Sequence, residues 1–154
     1  MTPNPVPPIS PRPRSKISSD KQAIIALIRK VAARPENQAM PVDLAIAQAQ
    51  QESTLNPNAI GPMTKWGKAI GLFQLLPSTA AGLHVDPYVP EQNIQGGITY
   101  MLQLYDKFHT WPLALAAYNM GPGALQHHLD KGTQWPTQTQ TYVSNIMGHW
   151  NQNS

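Results

Sequence analysis

A chain of 154 residues with 41% apolar side chains can bury one core of its own but not two, and without cysteine it has neither disulfides nor thiolate metal ligands. No apolar run reaches membrane-spanning length, and the five histidines (His84, His109, His127, His128 and His149) include no pair spaced i, i+4, so neither a membrane span nor a zinc site is expected. The net charge of +3 is unevenly shared: residues 1–34 hold seven of the eleven Lys and Arg against one acid (+6) and residues 35–154 hold four against seven (−3), so the body is not expected to bind nucleic acid.

Residues 1–16 contain six of the sixteen prolines and three basic side chains. Such a segment favours polyproline II and buries too little for a core, so it is expected to be an extended arm of about 50 Å at roughly 3.1 Å per residue. Residues 17–154 are expected to form the folded domain. Ser19 followed by Gln22 reads as a capping box, and the helix behind it carries Ile24, Leu27, Ile28 and Val31 on one face before Arg34-Pro35 ends it.

Residues 41–53 (PVDLAIAQAQQES) place Val42, Ala45, Ile46 and Ala49 at i, i+3, i+4, i+7, with Pro41 suited to the first helical position. Three residues further along the same stripe stands Glu52, a carboxyl at the last turn of a helix on its buried face. Burial and the negative end of the helix dipole both disfavour its charged form, so its pKa should rise towards that of a general acid. An amphipathic helix that ends in a solvated glutamate fits this stretch equally well.

Residues 55–62 are a run of turn formers, with Trp66 and Gly67 in the same loop. Residues 71–80 (GLFQLLPSTA) bring an apolar run around Gln74 and a helix start at Pro77-Ser78. Pro90 opens a long helix with Ile94, Ile98, Met101, Tyr105 and Phe108 on its apolar side. Residues 111–118 form a helix rich in alanine, which breaks between Asn119 and Gly123 and leaves Tyr118 and Asn119 at its end. A last helix buries Val143, Ile146, Met147 and Trp150. Alternation of the kind a strand needs is nowhere sustained, so the fold class is mainly α.

Three segments in this order, Gln51-Glu52-Ser53, residues 71–80 and residues 116–123 (AAYNMGPG), resemble the soluble lytic transglycosylase (SLT) domain, a relative of goose-type lysozyme. Asn93-Ile94 and Tyr142-Val143 fit later signatures of that family, so the likeness covers roughly residues 39–150. It implies a lysozyme-like helical domain that cleaves the β-1,4 bond between N-acetylmuramic acid and N-acetylglucosamine in peptidoglycan. By position Glu52 matches the catalytic acid, and Ser53, Gln74, Tyr118 and Asn119 match residues of the sugar cleft. Tyr118 looks like the tyrosine whose hydroxyl approaches the catalytic carboxylate. Phe73 and Leu76 stand where methionine is common, Gly61 where a cleft serine is often found, and the loop before Gly71 is a little long. Gln138 occupies a place where the family often has a glutamate, keeping the hydrogen bonding and losing the charge.

Ordinary glycosidases use two carboxyl groups about 5 to 9.5 Å apart. Asp43 shares the helix with Glu52, but nine residues at about 1.5 Å each put it roughly 13 Å away. Asp86 and Glu91 stay open as partners, whereas Asp20, Glu36, Asp106 and Asp130 read as surface charges or caps. One glutamate suffices if the substrate supplies the second group, which in the resembled family is the muramic acetamide. Glu52 then protonates the glycosidic oxygen and afterwards takes the proton of the sugar's own C6 hydroxyl, leaving a 1,6-anhydro end with no metal or cofactor. Tyr118, Trp66 and Phe73 are candidates for sugar-face contacts or for core positions. A hydrolytic muramidase on the same fold, and a virion or secretion-machine component that binds glycan with little turnover, are the alternatives. The N-terminus has no secretory apolar region. A phage particle is therefore the expected carrier, on its tail or ejected from it, with action in the host periplasm. The arm over residues 1–16 is then expected to dock on a virion or secretion-machine protein.

Overall fold

The computed structural model describes the backbone of residues 14–153 and the side chains of residues 19–151. Seven α-helices succeed one another within them: α1 (Arg14–Ala32), α2 (Val42–Ser53), α3 (Pro77–Gly82), α4 (Pro90–Phe108), α5 (Trp111–Met120), α6 (Pro122–Lys131) and α7 (Thr137–Asn153), with a single 3-10 turn at Pro35–Asn37. No strand forms among the described residues. Three isolated antiparallel bridges, Ile60 with Ile70, Thr64 with Gly67 and Ile70 with Leu75, fold the long connection between α2 and α3 back on itself. The body is mainly helical, as its periodicity requires.

Helix α1 is already formed at Arg14, the first described residue, ahead of the expected cap at Ser19. Pro13 is the last proline of the arm, and a helix tolerates proline only in its first turn, so nothing after it prevents winding. Residues 14–16 of the expected arm are thus helical, and residues 1–13 lie outside the described residues.

Helix α2 is buried more widely than one stripe. Leu44, Ala45, Ala47, Gln48, Ala49 and Ser53 are buried, whereas Val42 and Ile46 of the expected stripe are only half-buried. The cause is packing from two sides, by α1 and by α7, and the small alanines allow both to approach. Helix α5 packs against α4, α6 and α7 in turn, so the core lies among α2, α4, α5 and α7.

Each break between helices follows from local chemistry. Pro77, Pro90 and Pro122 each take the first helical position, where a missing N–H costs nothing. Gly121 (φ 94°) separates α5 from α6, a conformation in which a β-carbon would be strained. Helix α6 was not expected from the sequence: Leu125 is its one buried residue, too thin a stripe to signal an element. On α4, Leu104 takes the core position expected of Tyr105, which instead stacks on Trp111 with ring centroids 4.1 Å apart. The same helix passes so close to Phe73 that a β-carbon on Gly97 would lie 2.4 Å from the ring.

Candidate active site

Glu52 is presented by the last turn of α2 at the point where the chain leaves the helix sharply. Thr54 (φ 51°) and Leu55 (φ 61°) both adopt left-handed backbone without being glycine. Their N–H groups return to Gln50 O (2.9 Å) and Ala49 O (3.5 Å), closing the helix immediately beyond the carboxyl. Such residues persist only where the surroundings hold them, and they gather at functional sites.

The carboxyl opens into a cleft of about 890 Å³. Its walls are the end of α2, the connection through Thr64, Trp66 and Gln74, the end of α5 at Tyr118 and Asn119, and the start of α7 at Gln138 and Tyr142. Of the residues proposed from sequence, Glu52, Gln74, Tyr118, Asn119 and Gln138 all line this space. Ser53 does not: it is buried, and its hydroxyl donates to Ala49 O at 3.0 Å.

Burial pushes the Glu52 pKa from an ordinary 4.5 up to about 7, against an opposing pull from a hydrogen bond with Tyr142. At neutral pH the group is therefore divided between acid and base. Tyr142 of α7 and Tyr118 of α5 both line the cleft with this carboxyl, and it is Tyr142 whose hydrogen bonding draws the Glu52 pKa down. Tyr118 donates instead to Phe73 O at 2.6 Å and senses Glu52 through its charge. Burial, and then Glu52, push both phenols well above the usual tyrosine range, so both remain protonated donors.

The polar wall is held from behind. Gln74 has a left-handed backbone (φ 51°), and its Nε2 donates to Gly71 O (2.9 Å) and Ala59 O (3.1 Å), leaving Oε1 as its free polar atom. A β-carbon on Gly61 would come within 3.1 Å of that Oε1, so the glycine found where a serine is common keeps this corner clear. Asn119 Oδ1 accepts from Thr139 Oγ1 at 2.8 Å, and Gln138 is exposed on the rim. Trp66 stands 63% exposed at the mouth, with the Lys65 ammonium 4.9 Å from its ring centre, whereas Phe73 is wholly buried and belongs to the core.

Among the described residues Glu52 is the only acid that lines the cleft. Glu91, left open from sequence, is paired with Arg34 and lies 4.0 Å from Lys30. Asp86, also left open, is exposed and accepts from the N–H of Tyr88 at 3.0 Å. Asp43 faces Arg29 at 3.8 Å. None of these three reaches the site, and no group of three side chains suited to a metal forms among the described residues.

The family model of the transglycosylase SLT domain matches residues 27–140, about three quarters of the chain. The chain belongs to this family. The match begins within α1, ahead of the likeness read from sequence, and ends at the start of α7. Membrane-bound lytic murein transglycosylase C of Histophilus somni is 33% identical over 137 residues, covering 76% of this chain and 36% of that protein. The transglycosylase of Enterobacteria phage PRD1 is 32% identical over 109 residues, covering 70% and 37%. The SLT domain described here thus spans little more than a third of either relative. A solved structure of the lytic transglycosylase Slt of Pseudomonas aeruginosa, an inactive mutant with one glutamate changed to glutamine, superposes with a TM-score of 0.65 at 26% identity, over 83% of this chain and 24% of that one. The helical architecture is that of the lysozyme-like soluble lytic transglycosylases.

Within this SLT domain Tyr142 is the site residue that sequence reading did not assign a role. Its signal was present: it stands just before Val143 and one turn before Ile146, on the inner side of α7, where a hydroxyl must find a buried partner. No helix among the described residues is long and apolar enough to cross a membrane.

Proposed function

We propose that the chain is a lytic transglycosylase that cuts the β-1,4 bond between N-acetylmuramic acid and N-acetylglucosamine of peptidoglycan without adding water. The observation that carries this reading is a single carboxyl, Glu52, largely buried with its pKa pushed up to about 7 and, among the described residues, the only acid lining the cleft. Two-carboxylate mechanisms need a second acid within about 9.5 Å, and none lines the site, so the substrate must supply the missing group. Glu52 gives its proton to the glycosidic oxygen as the bond to the anomeric carbon breaks, while the muramic acetamide supports the positive charge there. The ionised carboxyl then removes the proton of the C6 hydroxyl, whose oxygen bonds to the anomeric carbon and closes the 1,6-anhydro ring. Glu52 ends as it began, protonated. Gln74 Oε1, Asn119 and Gln138 offer hydrogen bonds to sugar hydroxyls and amides along the cleft, and Trp66 offers a ring face at its mouth.

Mass spectrometry of a sacculus digest tests the reading. Fragments are expected to carry 1,6-anhydro ends, about 18 Da lighter than reducing ends because no water enters. Reducing ends alone would make the chain a hydrolytic muramidase, and an absence of fragments would make it a glycan-binding component.

Delivery by a phage particle, locally opening the host wall during infection, is supported by the likeness to the PRD1 protein and by the Pro/Arg-rich residues 1–16, whose composition suits docking in a partner's groove. Removal of residues 1–16 is expected to leave activity on isolated sacculi intact and to reduce incorporation into particles sharply. Undiminished incorporation would remove the arm from any docking role.

A further inference from the structure

We propose that Gln48 is a positioning residue for the reaction: its buried amide holds the Tyr142 hydroxyl so that the phenol proton is offered to Glu52. The inference rests on the reading of Glu52 as the acid and extends it to a residue that no part of that reading uses.

Gln48 is 0% exposed in a helix otherwise buried through Leu44, three alanines and the terminal Ser53. Its Nε2 donates to Tyr142 Oη at 3.2 Å, while its Oε1 is the one buried side-chain polar atom without a partner among the described residues. A half-satisfied buried amide lowers stability, and methionine or leucine would fill the same space without that cost. The position explains what the amide contributes. Gln48 precedes Glu52 by four residues and so shares its helix face, one turn back. Tyr142 approaches that face from α7, accepts from Gln48, and lines the cleft together with Glu52.

A phenol has one proton to give. With Nε2 donating into its oxygen, that proton is left for the carboxyl, and the incoming bond strengthens the outgoing one. With the amide reversed, Oε1 would capture the proton and Glu52 would lose its donor. The other groups around Glu52 cannot substitute. Tyr118 of α5 gives its hydroxyl to Phe73 O, and Tyr100 of α4 packs on the Tyr118 ring. The Asp43–Arg29 pair lies at the opposite end of α2, and His149 stands about two turns beyond Tyr142 on α7. No other charged side chain lines the cleft among the described residues.

The test compares the wild type with Gln48→Met, which preserves the volume and removes the donor. Glu52 is titrated directly by its carboxyl carbon in NMR, and the alkaline limb of kcat/KM on sacculi is followed in parallel. The Glu52 titration and the limb are expected to move up together by about half a pH unit, since the carboxylate loses part of its hydrogen bond. In a Tyr142→Phe background the same substitution is expected to move neither. Gln48→Leu repeats the measurement if the methionine variant does not fold. A titration that stays or moves down overturns the inference, as does an equal shift without the Tyr142 hydroxyl. Lost thermal stability with an unmoved titration would make Gln48 a packing residue only. Because the NMR titration needs no turnover, a wild type that fails to cut peptidoglycan would sink the transglycosylase reading and leave this result standing.

Discussion

Glu52→Gln is expected to yield a folded protein with wall-clearing activity reduced by about 10² to 10⁴, the usual contribution of a general acid–base group. Glutamine preserves shape and hydrogen bonding but exchanges no proton, so the loss should appear in kcat far more than in KM. The same variant should be the more stable protein at alkaline pH. The folded carboxyl titrates at about 7 against an ordinary 4.5, so between those values the native chain holds a proton that the unfolded chain has released. Wild-type stability therefore falls as pH rises through that window, and above it the whole cost of the buried charge is present. The gap corresponds to roughly 3 kcal/mol at about 1.4 kcal/mol per pH unit. Denaturation at pH 8 should show Glu52→Gln stabilised by up to that amount, with the difference vanishing near pH 4. A variant that clears sacculi at the wild-type rate, or whose stability tracks the wild type at every pH, would remove Glu52 from the role assigned to it.

Asn93→Ala is expected to cost about 3 to 5 kcal/mol, a large loss for a single polar truncation. Asn93 is 0% exposed. Its Oδ1 accepts from Phe73 N (2.8 Å), and its Nδ2 donates to Ile70 O (2.7 Å) and Pro87 O (3.0 Å). Truncation leaves three backbone groups unpaired, two of them buried with the loop segment that carries Gln74. Gly71 (φ 77°) shows how closely that segment is seated: a β-carbon there would fall 2.4 Å from Asn93 Nδ2. The loss should appear in urea as a lower midpoint at unchanged slope, and activity should fall with it as Gln74 loses its support. A midpoint shift worth less than 1 kcal/mol would show that the loop holds its shape without the asparagine.

Much of the architecture was legible because it is written in local signals. Pro77 and Pro90 announce helix starts, the glycines after Asn119 announce a break, and the apolar spacing along residues 42–49 places Glu52 on an inward face. These follow from backbone sterics and from the 3.6-residue period, which act within a few residues. The order of the three motif segments was also enough to identify the family, since it depends on residue identity alone.

What the sequence did not determine is what lies across the cleft from what. The 3.6-residue period marks one stripe on α2, but two helices press on it, so Leu44 and Gln48 are buried as deeply as Ala45. Ser53 and Tyr118 carry hydroxyls that suit a sugar site, yet their protons go to Ala49 O and Phe73 O. The partner of Glu52 comes from ninety residues away, on a helix whose own pattern showed only that Tyr142 faces inward. A side chain's spacing determines which face it occupies, because that is set by the backbone beside it. Its hydrogen-bond partner and its pKa depend on which other helix closes over that face, and only the tertiary packing of α2 against α7 decides that.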